Sequence, residues 1–163
     1  DIDLDILLQL KKLFDACPDN IGVYYTRTAD TNPTLDQRVQ LANKADADIF
    51  ISIHNNSSAT GNFTQTSGTQ VMYSESDDSK LSSKKLAKIC LDEVSESFDS
   101  YNRGLLAGDS IYIIRTSKVP VALIEVGFMT NYDELDKLKS PKYQKKAAQG
   151  IYNAIMEAFE EGY

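Results

Sequence analysis

Apolar residues along this chain repeat at two periods, and the switches between them outline an alternation of helices and strands. In residues 2–16, Ile6, Leu10 and Leu13 fall at helical spacing, and Cys17-Pro18-Asp19-Asn20 ends the run. Residues 23–26 read as a short strand leading to Arg27. Thr34 and Gln37 have capping-box form, and Leu35, Val39 and Ala42 line one face of the helix that follows. Residues 49–53 are an apolar strand running into His54-Asn55-Asn56. Residues 55–68, rich in Asn, Ser, Thr and Gly, cannot build a core and read as a long loop at that strand's carboxyl end. Residues 69–73 form the next strand, and residues 81–98 carry Leu86, Cys90 and Val94 in helical register. Residues 111–115 and 121–128 are read as strands. A last helix over 141–160 turns Ala147, Ile151, Ile155 and Phe159 inward.

This order predicts one α/β domain over residues 1–163, a mixed β-sheet flanked by helices with all five strands in a single sheet. A chain of 163 residues, 42% hydrophobic, supports one good core and not comfortably two. The acids of Asp1-Ile2-Asp3-Leu4-Asp5 suit the positive end of a helix dipole. An α/β domain more often opens with a strand, so a strand is expected upstream of Asp1, one whose absence leaves backbone groups unpaired along its neighbours.

The formal charge of -7 argues against nucleic acid as a partner, since phosphate binding needs clustered Lys and Arg. No apolar run approaches the roughly 20 residues that span a bilayer, and an acidic surface repels anionic lipid, so no membrane partner is expected. The lysines at 84, 85 and 88 and those between 137 and 146 alternate with acids and read as solvated helix faces. Cys17 and Cys90 fit neither a disulfide framework nor a zinc-knuckle spacing and read as free thiols, a single bridge remaining the alternative.

Two residues stand out chemically. Glu125 sits inside the apolar strand Leu123-Ile124-Glu125-Val126-Gly127-Phe128, where a carboxylate needs a partner, a proton or a task. Its neighbours should raise its pKa toward the range of a general base. His54, the only histidine, ends another apolar strand. A lone histidine beside a polar loop is more often a hydrogen-bonded structural residue than a ligand, but both positions fall near strand carboxyl ends, where open α/β sheets place their ligands. No Gly-x-Ser-x-Gly elbow or phosphate-binding loop is present, which leaves hydrolysis by a metal-activated water, with Glu125 as base, as the reaction class.

Ser52-Ile53-His54-Asn55-Asn56, Thr26-Arg27-Thr28-Ala29-Asp30 with Arg38-Val39 and Leu41-Ala42-Asn43, Ile113-Ile114-Arg115-Thr116, and Pro120-Val121-Ala122-Leu123-Ile124-Glu125-Val126-Gly127-Phe128-Met129-Thr130-Asn131 together resemble the zinc-dependent N-acetylmuramoyl-L-alanine amidases of bacterial cell walls, amidase type 3. The resemblance extends through Pro141-Lys142-Tyr143-Gln144. It implies cleavage of the amide between N-acetylmuramic acid and the L-alanine of the stem peptide, with peptidoglycan as partner and action outside the cell or in the cell wall. It implies zinc as cofactor, His54 as a metal ligand, Glu125 as the catalytic base on metal-bound water, and Asn56 in substrate binding or behind the ligands. The family's first zinc histidine, in an Asp-Pro-Gly-His-Gly-Gly type strand end, and its zinc glutamate have no counterpart here. The expectation is an amidase domain lacking its first strand and most of its metal site, which as it stands binds zinc weakly and does not cleave. The competing reading is a degenerate domain that binds stem peptide without chemistry.

Overall fold

The computed structural model describes every residue from Asp1 to Tyr163. Six helices and four strands follow one another as α1 (Ile2–Asp15), α2 (Leu35–Lys44), β1 (Phe50–Asn56), β2 (Thr69–Tyr73), α3 (Ser83–Phe98), β3 (Asn102–Ala107), α4 (Tyr112–Thr116), β4 (Val121–Phe128), α5 (Tyr132–Lys139) and α6 (Pro141–Glu160). The strands form one mixed sheet in the order β1-β4-β2-β3. β1 runs parallel to β4, β4 antiparallel to β2, and β2 parallel to β3.

Helix boundaries follow local chemistry. The Asp1 carboxylate caps α1 by accepting from the Asp3 and Leu4 amides, and Thr34 and Gln37 close the expected capping box on α2. One sheet face packs on α1, α3 and α6, where Leu86, Cys90, Val94, Ile124, Val126 and Ile151 are buried. α3 and α6 approach closely at Gly150, where an added Cβ would lie 2.8 Å from the Glu93 carbonyl oxygen. The other face packs Phe50, Val121 and Leu123 against Val39 and Ala42 of α2 and Ile113 and Ile114 of α4. Both cysteines are free thiols.

Three of the five expected strands share the sheet; the other two are corrected. Residues 23–26 pair with no strand and run as exposed or half-buried coil. Residues 111–115 are instead the short helix α4, because Ile113 and Ile114 are both buried. Consecutive strand residues would point to opposite faces, whereas one helical turn delivers both to the same core. β3 carries no strand signal in the sequence, because Asn-Arg-Gly-Leu-Leu-Ala is an exposed edge strand without β-branched residues, and its Gly104 has φ +90°. α5, for which the apolar pattern carries no expectation, starts at Asn131, the N-cap whose side chain accepts the Glu134 amide. Leu35, expected on the inner face of α2, is 54% exposed.

β1 pairs on one side only, with β4. Along its other edge lies an apolar cavity of about 640 Å³, walled by Leu7 and Phe14 of α1, Leu41 of α2, Ile51 and Ile53 of β1, and Tyr25. Asp3 and His54 stand at its polar margin.

Candidate active site

The site is built on one rung of the sheet. His54 of β1 and Glu125 of β4 are register partners, and Gln70 of β2 is opposite Glu125 on its other side. Residues abreast in a sheet share a face, so the three form a polar row on the side that carries Phe50 and Leu123 further back. Every residue of β4 is buried except Glu125, which is half-buried. Immediately beyond this rung the pairing slips, with Asn56 opposite Phe128, so the strands stop running in step where the polar row ends.

Glu125 is a carboxylate under pressure. Burial, and then the negative charge of Asp3, push its pKa up to about 7. Its Oε2 is buried and has no hydrogen-bond partner, and the same is true of Asn55 Oδ1. Buried acceptors are nearly always paired, so these two oxygens mark where a bound donor belongs. His54 is shifted the other way. Burial lowers its pKa most; Asp3 opposes that, and Arg38 and Arg27 add to it. The imidazole is therefore neutral at neutral pH, with Ser52 Oγ 2.9 Å from its Nε2.

Asp3 is the residue that sequence reasoning placed elsewhere. Read as one of the acids on the α1 dipole, it also accepts a 2.5 Å hydrogen bond from Asn55 Nδ2 and acts electrostatically on both His54 and Glu125. Nothing local in the sequence signals this, because Asn55 lies 52 residues away and Glu125 further still. Arg27 ties down the same end of α1 by pairing with Asp1 at 2.7 Å. Asn56 turns its side-chain oxygen back to the Ser57 amide, and its backbone carbonyl accepts from Met129.

A buried clamp stands behind the row. The Glu134 carboxylate, 6% exposed, accepts the Gly68 amide on one oxygen and the Phe128 amide on the other, at 2.8 and 2.7 Å. It joins the return of the 57–68 loop to the end of β4, three residues past Glu125.

The fit to zinc is poor. A catalytic zinc takes three protein ligands and an open position, and no group of three His, Cys, Asp or Glu side chains in this chain is placed to hold a metal. His54 offers the one imidazole, and Asp3 is engaged with Asn55. The residues present do not make a zinc site, so the chemistry below is derived from the chain's own groups.

A carboxyl group poised near neutrality beside a neutral imidazole, toward the carboxyl ends of two parallel strands, is an arrangement able to take a proton from a bound water and give it back. The sequence profile of the N-acetylmuramoyl-L-alanine amidases matches residues 1–157, and the chain belongs to that family. It is 35% identical over 147 residues to the germination-specific N-acetylmuramoyl-L-alanine amidase of Bacillus subtilis, covering 90% of this chain and 58% of that protein. Among solved structures it is similar to the N-acetylmuramoyl-L-alanine amidase from Clostridium difficile 630, with a TM-score of 0.90 at 29% identity, covering 100% of this chain and 84% of the other. The catalytic domain of CwlV from Bacillus (Paenibacillus) polymyxa var. colistinus aligns with a TM-score of 0.86 at 30% identity, covering 98% and 83%. The chain spans less than two thirds of the length of the curated relatives it matches.

Proposed function

We propose that this chain is the base-bearing part of a peptidoglycan amidase that cleaves the bond between N-acetylmuramic acid and the L-alanine of the stem peptide, with Glu125 as general base. The observation that carries this reading is the partnerless, half-buried Glu125 carboxyl on the same rung as His54, with its pKa pushed up to about 7. Family membership supplies the substrate class.

Chemically, a water held against Glu125 gives its proton to the carboxylate as its oxygen attacks the lactyl carbonyl carbon. When the carbon–nitrogen bond breaks, Glu125 returns that proton to the departing alanine nitrogen. A group titrating near 7 does both at neutral pH, since neither transfer is steeply uphill, and such catalysis contributes about 10² to 10⁴ in rate. Asp3 and Asn55 hold the mouth of the site between α1 and β1. His54 is the one residue placed to contribute a metal ligand, and a full ligand set would have to include groups outside these residues. Action on the cell wall, outside the cytoplasm, accompanies this reading; no helix is long and apolar enough to cross a membrane.

The short ligand set also favours a second reading, a domain that binds stem peptide without cutting it. The two separate on one experiment. Purified peptidoglycan is incubated with the longest natural polypeptide containing this chain, and new L-alanine amino termini are counted against a Glu125→Gln variant. Release that depends on Glu125 supports the amidase; binding without release supports the second reading.

A further inference from the structure

Beyond the reacting groups, one surface at the carboxyl end of the sheet is built for a neutral, ring-bearing ligand. In a chain that is 25% charged, not one ionisable side chain stands between Asn55 and Gly68. Within that neutral loop Phe63 lies flat on Tyr132 at the start of α5, with ring centroids 3.9 Å apart and planes 11° from parallel. The pair is nonetheless open to water: Phe63 is 46% exposed and Tyr132 69%. Three bonds hold the loop in place on the strand ends, from the Ser58 amide to Thr130 Oγ1, from the Thr64 amide to the Thr130 carbonyl, and from the Met129 amide to the Asn56 carbonyl. On either side of Phe63, the side chains of Asn62 and Gln65 are exposed and their side-chain amides make no bond within the chain, Asn62 bonding only through its backbone.

We propose that Phe63, Tyr132, Asn62 and Gln65 form a carbohydrate subsite that seats a sugar ring of the glycan strand. The inference rests on the amidase reading for its ligand and adds the surface that would grip the polymer. An apolar patch exposed beside a reaction site marks a binding surface, and the composition of this one selects the occupant. The C–H face of a pyranose stacks on an aromatic ring, while its hydroxyl and acetamido groups bond to neutral amides and hydroxyls. A charged peptide would call for charged partners, which the loop lacks. Because the loop is already bonded to β1 and β4, little ordering entropy opposes binding. The loop that carries Phe63 is bonded to Thr130, two residues past the end of β4, the strand that carries Glu125.

The test uses the chain itself and a neutral glycan probe, a β-1,4-linked N-acetylglucosamine oligomer that lacks the free lactyl carboxylate of peptide-stripped N-acetylmuramic acid, followed by NMR titration. Saturable shifts are expected at Phe63, Tyr132, Asn62 and Gln65. Tyr132→Ala should weaken binding about tenfold, as loss of one stacking ring implies, and Tyr132→Phe should stay within about twofold of the wild type. A purely structural clasp predicts the opposite: Tyr132→Ala lowers the melting temperature or loosens loop amides while glycan affinity is unchanged, which would overturn the proposal. Absence of glycan binding in a polypeptide that cleaves peptidoglycan overturns the subsite and leaves the amidase reading intact. Glycan binding by the longest natural polypeptide containing this chain, with no cleavage of peptidoglycan, supports the subsite and counts against the amidase.

Discussion

Glu125 faces His54 across the parallel pairing of β1 and β4 on the last rung before the register slips. The two groups are shifted in opposite directions, the carboxyl upward and the imidazole downward, chiefly by the same cause, burial. Each is held toward its neutral form, the state in which a carboxyl can give a proton and an imidazole can accept a bond or bind a metal. Near neutrality, Glu125 is divided between its two protonation states.

The Glu125 shift has a signature in stability. Its folded pKa of about 7 lies above the ordinary carboxylate value, so the native state binds the proton more tightly than the unfolded chain does. The associated stability is fully present below the unfolded pKa and is lost as pH rises toward 7. Glu125→Gln should remove that slope and stabilise the chain above pH 7 by about 1–2 kcal/mol, a figure reduced for the partial exposure of the group. Urea melts from pH 4 to 8 check this, and a slope that survives in the variant would assign the shift to another group.

His54 contributes with the opposite sign. Its folded pKa is lowered, so its share of stability is present above the unfolded value and is lost as pH falls through the folded one. His54→Gln should flatten the acid limb of the same stability curve and leave the limb near neutrality to Glu125. Titration of the His54 ring by NMR, expected to give a midpoint below that of an exposed histidine, checks the cause directly.

Glu134 should be the costliest carboxylate to remove. Glu134→Ala removes the acceptor from the Gly68 and Phe128 amides and is expected to cost about 3 kcal/mol. Glu134→Gln keeps one accepting oxygen and should cost about half as much. Amide hydrogen exchange should show the loss confined first to the start of β2 and the end of β4. Even exchange across all strands in Glu134→Ala would argue against the clamp.

Zinc binding follows from ligand count. After dialysis, the chain should retain well under one zinc per molecule, because His54 alone supplies an imidazole and no trio of ligands converges. Metal analysis by mass spectrometry checks this. One tightly held zinc per chain would mean that side chains now engaged elsewhere, Asp3 foremost, rearrange to complete a site.

How much of this was legible beforehand depended on whether the signal was local. Helices α1, α2, α3 and α6 carry their apolar stripes and caps within a few residues, and β4 is an unbroken apolar run interrupted only by Glu125, so these were readable. The strand read at 111–115 failed because β-branched residues suit a strand, while burial of both Ile113 and Ile114 required a helical turn, a tertiary demand invisible to propensity. His54 and Glu125 were visible as polar residues in apolar strands. Asp3, Asn55, Gln70 and Glu134 were not, since each acquires its role from a partner distant in sequence or across the sheet.

The most direct test is release of amino-terminal L-alanine from purified peptidoglycan by the longest natural polypeptide that contains this chain, compared with its Glu125→Gln variant. The account predicts new L-alanine termini with the wild type, a loss of at least about 100-fold in the variant, and unchanged metal content, because a base is removed and not a ligand. Undiminished release by Glu125→Gln, or new termini belonging to another residue, would contradict it.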